Sequence, residues 1–196
     1  IYPDYKKGRK KMPEHLADKL ADIQDRFMAH HVDSLVSEAD EADDLIATLA
    51  VKVALRGQNV TIVSTDKCFL SLLSPNIQVY DYFNRRHLDQ DYVVNKFSVK
   101  PDKLMDLWTL TGDTTNKIPG VAGIGQVTAS QLLNQYGSIK SILSAKDLKR
   151  SVSEKLAQHG EQISLSRKLL TLKIDIPLGF NLKDIRLPYE NPLAST

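Results

Sequence analysis

Cysteine is almost absent from this chain: 196 residues hold one, Cys68. A single thiol excludes an internal disulfide and any zinc site built on cysteines. Long apolar runs are missing too, since none approaches the ~20 residues of a membrane-spanning helix. No stretch reads as a signal peptide. Both absences lead to the expectation of a cytoplasmic protein, without membrane contact. A strong net charge is lacking: 26 basic against 24 acidic residues leave +2. No global field betrays a partner, so the local placement of charge has to be read instead. Repeats and low-complexity tracts are absent as well. What is present, 42% hydrophobic and 26% charged residues, can bury a real core and is not the composition of a disordered tail. The length suits one large domain, or a domain with a small subdomain. The chain opens on Ile1 without an initiator Met, and further residues upstream are expected.

Periodicity divides the chain near residue 100. Before it, a helix is expected from about Pro13 to Phe27, with proline in its first turn, and a short strand over His31–Val36. Ser37 is expected to cap a long helix running from Glu38 to about Leu55 and ending before Gly57. Asn59–Ser64 reads as a buried strand, Cys68–Leu73 as a short helix and Ile77–Tyr82 as a further strand. This alternation is that of a mainly parallel sheet covered by helices, a three-layer α/β fold. After Pro101 the expectation is helical: 102–110, a loop over 111–120, a glycine-rich hairpin turn over 121–125, then helices over 127–136, 138–144 and about 148–172. The expected organisation is an α/β domain over 1–100, a helical subdomain over 101–175 and a tail over 176–196.

Four constellations carry chemistry. The first is Glu38-Ala39-Asp40-Glu41-Ala42-Asp43-Asp44, five carboxylates within seven residues. Acids favour a helix N-terminus, and Ser37-x-x-Asp40 resembles a capping box. Capping needs one or two acids, however, and crowded like charges call for a cation. Oxygen-only clusters suit Mg²⁺ or Mn²⁺; cap and metal site stand at even weight. The second is Ser64-Thr65-Asp66-Lys67. Asp66 follows a buried strand at the sheet edge where α/β folds bind ligands. Alone it reads best as the cap of the next helix; together with the acid cluster it reads as a further metal ligand.

The third is Ile118-Pro119-Gly120-Val121-Ala122-Gly123-Ile124-Gly125-Gln126-Val127-Thr128. A dinucleotide-binding reading fails because no strand precedes it. Helix, V-x-G-I-G, helix is a helix-hairpin-helix, whose glycines admit a phosphate to the N–H groups that open the next helix. Loop carbonyls of this kind can also hold a monovalent cation. The plainer alternative is a glycine-rich connection. The fourth is Tyr5-Lys6-Lys7-x-Arg9-Lys10-Lys11, either a solvated basic face or a phosphate contact with Tyr5 available for stacking.

Together these residues resemble the 5′ nuclease family, the 5′-3′ exonuclease domain of bacterial DNA polymerase I and the stand-alone bacterial flap endonucleases. Tyr5-Lys6-x-x-Arg9 is similar to that family's Y-K-x-x-R, Glu41-Ala42-Asp43-Asp44 to its E-A-D-D and Ser64-Thr65-Asp66-Lys67 to its [GS]-x-D-K. Gly112-Asp113-Thr114-Thr115-Asn116-Lys117-Ile118-Pro119-Gly120 tracks its G-D-x-S-D-N-I-P-G, and Val121-x-Gly123-Ile124-Gly125 completes the run. The resemblance covers about residues 1–175. It departs where Cys68 stands for the last acid of D-K-D, and where Asn116 and Lys117 stand for the Asp-Asn of the loop. Only Asp113 survives there. This depletion of a second metal site resembles the exonuclease IX type.

The resemblance implies a resolvase-like (PIN-like) nuclease domain followed by a helix-hairpin-helix (H3TH) subdomain. It implies Mg²⁺-dependent cutting of 5′ flaps in branched DNA by a monomer, in replication or repair. Glu41, Asp43, Asp44 and Asp66 would hold Mg²⁺ (or Mn²⁺), with Asp43 and Asp44 central to catalysis. Lys6 and Arg9 would act on the scissile phosphate. Carbonyls of Leu110, Thr111, Pro119, Val121 and Ile124 would hold K⁺. Tyr5, Lys6 and the turn Gly123, Ile124, Gly125, Gln126, Val127 and Thr128 would contact DNA. The family's further aspartates would lie before Ile1. Two alternatives remain at this point: the N-terminal nuclease domain of a DNA polymerase I, and a branched-DNA-binding protein without catalysis.

Overall fold

The computed structural model describes residues 3, 5, 7 and 12–181. The chain forms two compact units. The larger takes in Pro3, Tyr5, Lys7 and Ala50–Leu172, the smaller Met12–Leu49 and the described residues from Lys173 onward.

In the larger unit the sheet has the order β1-β2-β3. Strands β1 (Val60–Val63) and β2 (Ile77–Asp81) pair in parallel, Val60 opposite Ile77 and Val63 opposite Tyr80. This is the parallel pair that the two apolar runs predict. A 3-10 helix, Lys67–Leu72, lies on the connection between them. β3 (Arg86–Leu88) returns antiparallel to β2, with Asp81 opposite Arg86. It was not expected, because only Leu88 of its three residues is buried and so brief a strand shows no alternation. The next helix, α4 (Gln90–Phe97), was not expected either. Asp89 caps it by accepting from the Tyr92 amide at 2.8 Å, and Ser98 ends it in the left-handed region.

The helical part follows. A 3-10 turn at Pro101–Lys103 leads into α5 (Leu104–Thr111), then α6 (Gln126–Tyr136) and α7 (Ile139–Ser144). The expected helix over 148–172 is two, α8 (Arg150–Gln158) and α9 (Gly160–Leu170), which meet at His159-Gly160. Glycine there weakens helix continuation. One contiguous cluster buries residues from sheet and helices alike: Phe69, Leu70 and Val79 join Leu104, Leu107, Leu110, Leu133 and Ile142. Each such fully buried side chain contributes about 1.5–3 kcal/mol. Asp106, on α5, ties this packing together. It accepts from the Ile139 amide at 3.0 Å and from Arg167 of α9 at 2.5 Å.

In the smaller unit the expected helix over 13–27 is interrupted: α1 (Glu14–Ala17) and α2 (Leu20–Ala29) are separate, and neither buries a residue. The expected strand over His31–Val36 is absent. His31 adopts φ 58° and the segment is irregular and exposed, with no strand partner among the described residues. The expected long helix starts later, as α3 (Ala42–Ala54), whose last turns belong to the larger unit. Ser37 caps a bend rather than this helix. Its hydroxyl accepts from the amides of Ala39 (3.2 Å) and Asp40 (3.0 Å). The C-terminal segment runs without regular structure beside α3. Thr48 Oγ1 donates to the Lys173 carbonyl at 3.2 Å and accepts from the Ile176 amide at 3.4 Å. No helix of the described residues is long and apolar enough to cross a membrane.

Candidate metal centre and nucleic-acid interface

The acid cluster sits where the smaller unit's chain enters α3. Asp44 and Leu45 donate their amides to the Glu41 carbonyl, which places Asp43 and Asp44 in the first turn. Acids there are favoured by the unpaired N–H groups of the turn. Asp43 and Asp44 are both half-buried. Lys173 draws on two acids of the cluster: its amide donates to Asp44 Oδ1 at 2.9 Å, and its ammonium lies 2.7 Å from Asp40 Oδ1. The hydrogen bond to Asp40, and then the charge of the same carboxylate, push the Lys173 ammonium above its usual range. The donor set Glu41, Asp43 and Asp44 is of hard carboxylate oxygens, a chemistry that fits Mg²⁺ or Mn²⁺.

In the larger unit the chain leaves β1 at Val63 and reaches Asp66 within three residues. Asp66 caps the 3-10 helix, accepting from the Cys68 amide at 2.9 Å through Oδ1. The capping reading of this residue is therefore observed, and it uses one of the two carboxylate oxygens. Lys67 points to α5's far end. Its ammonium donates to Asp113 Oδ1 at 2.9 Å and stands 5.7 Å from the centre of the Trp108 ring. Asp113 is 3% exposed and also accepts from the Thr115 amide (3.1 Å) and the Asn116 side chain (2.8 Å). Burial pushes its carboxyl up, but the hydrogen bonds from Lys67 and Asn116 outweigh this and hold it below the usual carboxylate range.

The glycine-rich turn stands on a backbone-to-backbone contact. A Cβ on Gly120 would lie 2.2 Å from the Thr111 carbonyl carbon, and one on Gly112 (φ 77°) 2.5 Å from the Gly120 nitrogen. Only glycines permit this approach. Two of the carbonyls expected to hold a cation accept backbone amides: Leu110 O, on α5, from Val121 at 2.7 Å, and Val121 O from Ile124 at 3.0 Å. Ser166 of α9 donates to Pro119 O at 2.6 Å, and Gln162 donates to Gly120 O. Of the five carbonyls expected to hold a cation, those of Leu110, Pro119 and Val121 thus each accept a hydrogen bond within the protein. Gly123 takes φ 73°, and Gly125 is the N-cap of α6 with no side-chain cap. Around Gly125 a Cβ would meet nothing within 4 Å. The first amides of α6, Gln126, Val127 and Thr128, follow this turn, and the Lys155 ammonium lies against it, donating to the Gly123 carbonyl at 3.1 Å.

Lys6 and Arg9 lie outside the described residues; Tyr5 is half-buried. Sequence reasoning missed Lys67 as the partner of Asp113, Lys173 as the partner of Asp40 and Asp44, and Ser166 and Gln162 as supports of the turn. Each pair is separated by 40 residues or more, and no local signal marks it.

The family described as 5′-3′ exonuclease, N-terminal resolvase-like domain, matches residues 1–98, and the 5′-3′ exonuclease, C-terminal SAM fold, matches residues 99–192. The chain belongs to the 5′-3′ exonuclease family. Over 187 residues it is 72% identical to the flap endonuclease Xni of Colwellia psychrerythraea, spanning 95% of this chain and 64% of that protein. It is 50% identical to the flap endonuclease Xni of Photobacterium profundum, spanning 95% and 72%. Among solved structures, a bacteriophage T5 flap endonuclease in a pseudo-enzyme-product complex with DNA and metal ions is similar, with TM-score 0.71 and 21% identity over 87% of this chain and 68% of that one. The catalytic core of Rad2 in complex with DNA substrate is similar at TM-score 0.51 and 15% identity, over 88% and 62%. At these identities the likeness is one of fold. It is the α/β resolvase-like unit with a helical subdomain that the family motifs imply.

Proposed function

We propose that this member of the 5′-3′ exonuclease family is a structure-specific endonuclease that hydrolyses phosphodiester bonds at 5′ flaps of branched DNA. The observation that carries the reading is the turn at Gly123–Gly125 with the uncapped start of α6 behind it. A phosphate can approach the backbone there and accept from helix N-terminal amides, gripping duplex DNA without reading its sequence. Glu41, Asp43, Asp44 and Asp66 would hold Mg²⁺, or Mn²⁺ in its place. Bound there, the ion supplies Lewis acidity toward the attacking water and the phosphate. Asp43 and Asp44, in the first turn of α3, would set the position of that charge. Lys6 and Arg9 would stabilise the phosphate electrostatically. Carbonyls of Leu110, Thr111, Pro119, Val121 and Ile124 would hold K⁺ and stiffen the turn. The protein would act as a cytoplasmic monomer on DNA with a 5′ single strand, and its binding would weaken steeply with salt.

The test is cleavage of a 5′-labelled flap substrate with Mg²⁺ and then with EDTA, by this chain and by a version extended to the length of its relatives. Cleavage that requires the metal is expected. Asp43→Ala should lower the rate by at least about a hundredfold, with DNA affinity unchanged or slightly raised as a negative charge is lost. Cleavage that survives EDTA, or an Asp43→Ala variant of full activity, would sink the reading.

A further inference from the structure

The turn between β2 and β3 carries two aromatic side chains in solvent. Tyr82 is 68% exposed and Phe83 84% exposed, and their rings stand edge to face with centroids 6.1 Å apart. Scattered exposed hydrophobics need no explanation, but this pair is held. Buried Asp81 accepts from the Asn84 amide at 3.2 Å and from the Asn84 side chain at 2.7 Å, while Arg85 donates its amide to the Tyr82 carbonyl at 3.2 Å. Arg85 turns the chain back at φ 49°, a conformation that few residues other than glycine adopt. The loop is thus a fixed tip rather than a loose one.

The surroundings carry both signs of charge: Asp81 pairs with Arg86 at 3.6 Å, and Asp89 and Asp91 open α4 beside the cations Arg85, Arg86 and Lys96. Arg85 and Arg86 follow the aromatics in the chain; the Arg86 guanidinium stands 5.1 Å from the centre of the Tyr92 ring, and Lys96, one turn along α4, stands 5.2 Å from the same ring. Lys96 also donates to the Tyr92 hydroxyl at 2.8 Å. The Lys96 carbonyl accepts from Gln126, the first residue of α6, at 2.8 Å. A chain of contacts therefore runs from Gln126 at the start of α6 through Lys96 and Tyr92 to Arg86 on β3, the strand that follows the tip, all within the larger unit.

We propose that the β2–β3 tip is a second DNA contact, a platform for single-stranded DNA continuous with the duplex held at α6. Bases stack on Tyr82 and Phe83, and Arg85, Arg86 and Lys96 meet the phosphates between. Every base offers a π-face, so such a platform binds a single strand whatever its sequence. A protein partner would equally cover the aromatics, but it would not call for cations laid along the path toward α6. The inference rests on the DNA-binding reading above and adds to it where the unpaired strand goes.

The test measures fluorescence anisotropy with three labelled DNAs: a blunt duplex, the same duplex with a single-stranded extension, and oligothymidylate. The wild-type chain is compared with Tyr82→Ala/Phe83→Ala and with Tyr82→Phe. The double variant should bind the extended duplex and the single strand on the order of tenfold more weakly, and the blunt duplex as tightly as wild type. Tyr82→Phe, which keeps the ring, should bind all three as wild type does. Thermal unfolding should be unchanged, since both side chains stand outside the core. Equal affinity of double variant and wild type for the extended duplex would overturn the inference alone. A parallel loss on blunt duplex would also overturn it, as would a concentration-dependent dimer that the double variant abolishes. A wild-type chain that binds none of the three would overturn the DNA-binding reading and this inference together.

Discussion

The Lys67 ammonium stands 2.9 Å from Asp113 Oδ1, across 46 residues of sequence. The two residues join the exit of β1 to the exit of α5, and the carboxylate they share is closed off by Thr115 and Asn116 as well. Family resemblance leads one to expect an acid at the end of D-K-D and a second one in the loop of Asp113, yet Cys68 and Asn116 occupy those positions. With its oxygens facing the Lys67 ammonium, the Thr115 backbone amide and the Asn116 carboxamide, Asp113 serves as a structural tie in this chain.

Lys67→Met should therefore destabilise the fold by about 1–3 kcal/mol, because a buried carboxylate loses its charged partner. The figure sits at the lower end of the range for buried pairs because the Lys67 side chain is 38% exposed. Asp113→Asn should alter the acid limb. A carboxyl whose folded pKa lies below its unfolded one takes up its proton more readily when unfolded. Its contribution is thus complete above the ordinary value of 3.8 and is lost as pH falls through the lower folded value. Urea unfolding of wild type and Asp113→Asn between pH 7 and pH 3 checks this. The stability difference between them should shrink toward the acid end, and a difference constant with pH would refute it.

Asp106 makes the second prediction. It accepts from the amide that opens α7 and from Arg167 of α9 while standing on α5, so one carboxylate serves three helices. Asp106→Ala strands a buried amide and a guanidinium, and should cost about 2–4 kcal/mol. Asp106→Asn keeps an acceptor for the Ile139 amide and should lose roughly half as much. Equilibrium denaturation monitored by circular dichroism reads both; an Asp106→Ala variant as stable as wild type would show that the three helices pack without this tie.

How much of this was legible in the sequence depends on the range of the interaction. The apolar runs that became β1, β2 and α6 each bury a face within a few residues, and period and caps located them to within one residue or so at each end. The strand expected over His31–Val36 failed because a hydrophobic run is only half of a strand: no partner faces it among the described residues. Ser37 was read as a helix cap, and it does accept from two amides, but they belong to a bend that precedes α3. The candidate site divides in the same way. Acids, glycines and their spacing were plain from the residues. The contacts that decide what each acid does, Lys67 on Asp113 and Lys173 on Asp40 and Asp44, join positions 46 to 133 apart, which local chemistry does not reveal.

Two glycines five residues apart give the sharpest contrast. Gly120 lies against the Thr111 backbone, where a Cβ would stand 2.2 Å from a carbonyl carbon, and backbone cannot yield as a side-chain tip can. Gly120→Ala should cost about 3 kcal/mol and weaken DNA binding only as a consequence of lost structure. Gly125 has φ −89°, open to any residue, and nothing within 4 Å of a Cβ. Gly125→Leu should keep the wild-type melting temperature, yet its side chain would stand where a phosphate reaches the first amides of α6. Affinity for blunt duplex should fall about tenfold, equivalent to ~1.4 kcal/mol. The slope of log affinity against log salt should flatten by about one phosphate contact's worth. Thermal melting beside duplex anisotropy at several salt concentrations separates the two variants. If Gly125→Leu binds duplex as wild type does while remaining folded, the turn is a connection between helices, and the grip on DNA lies elsewhere in the chain.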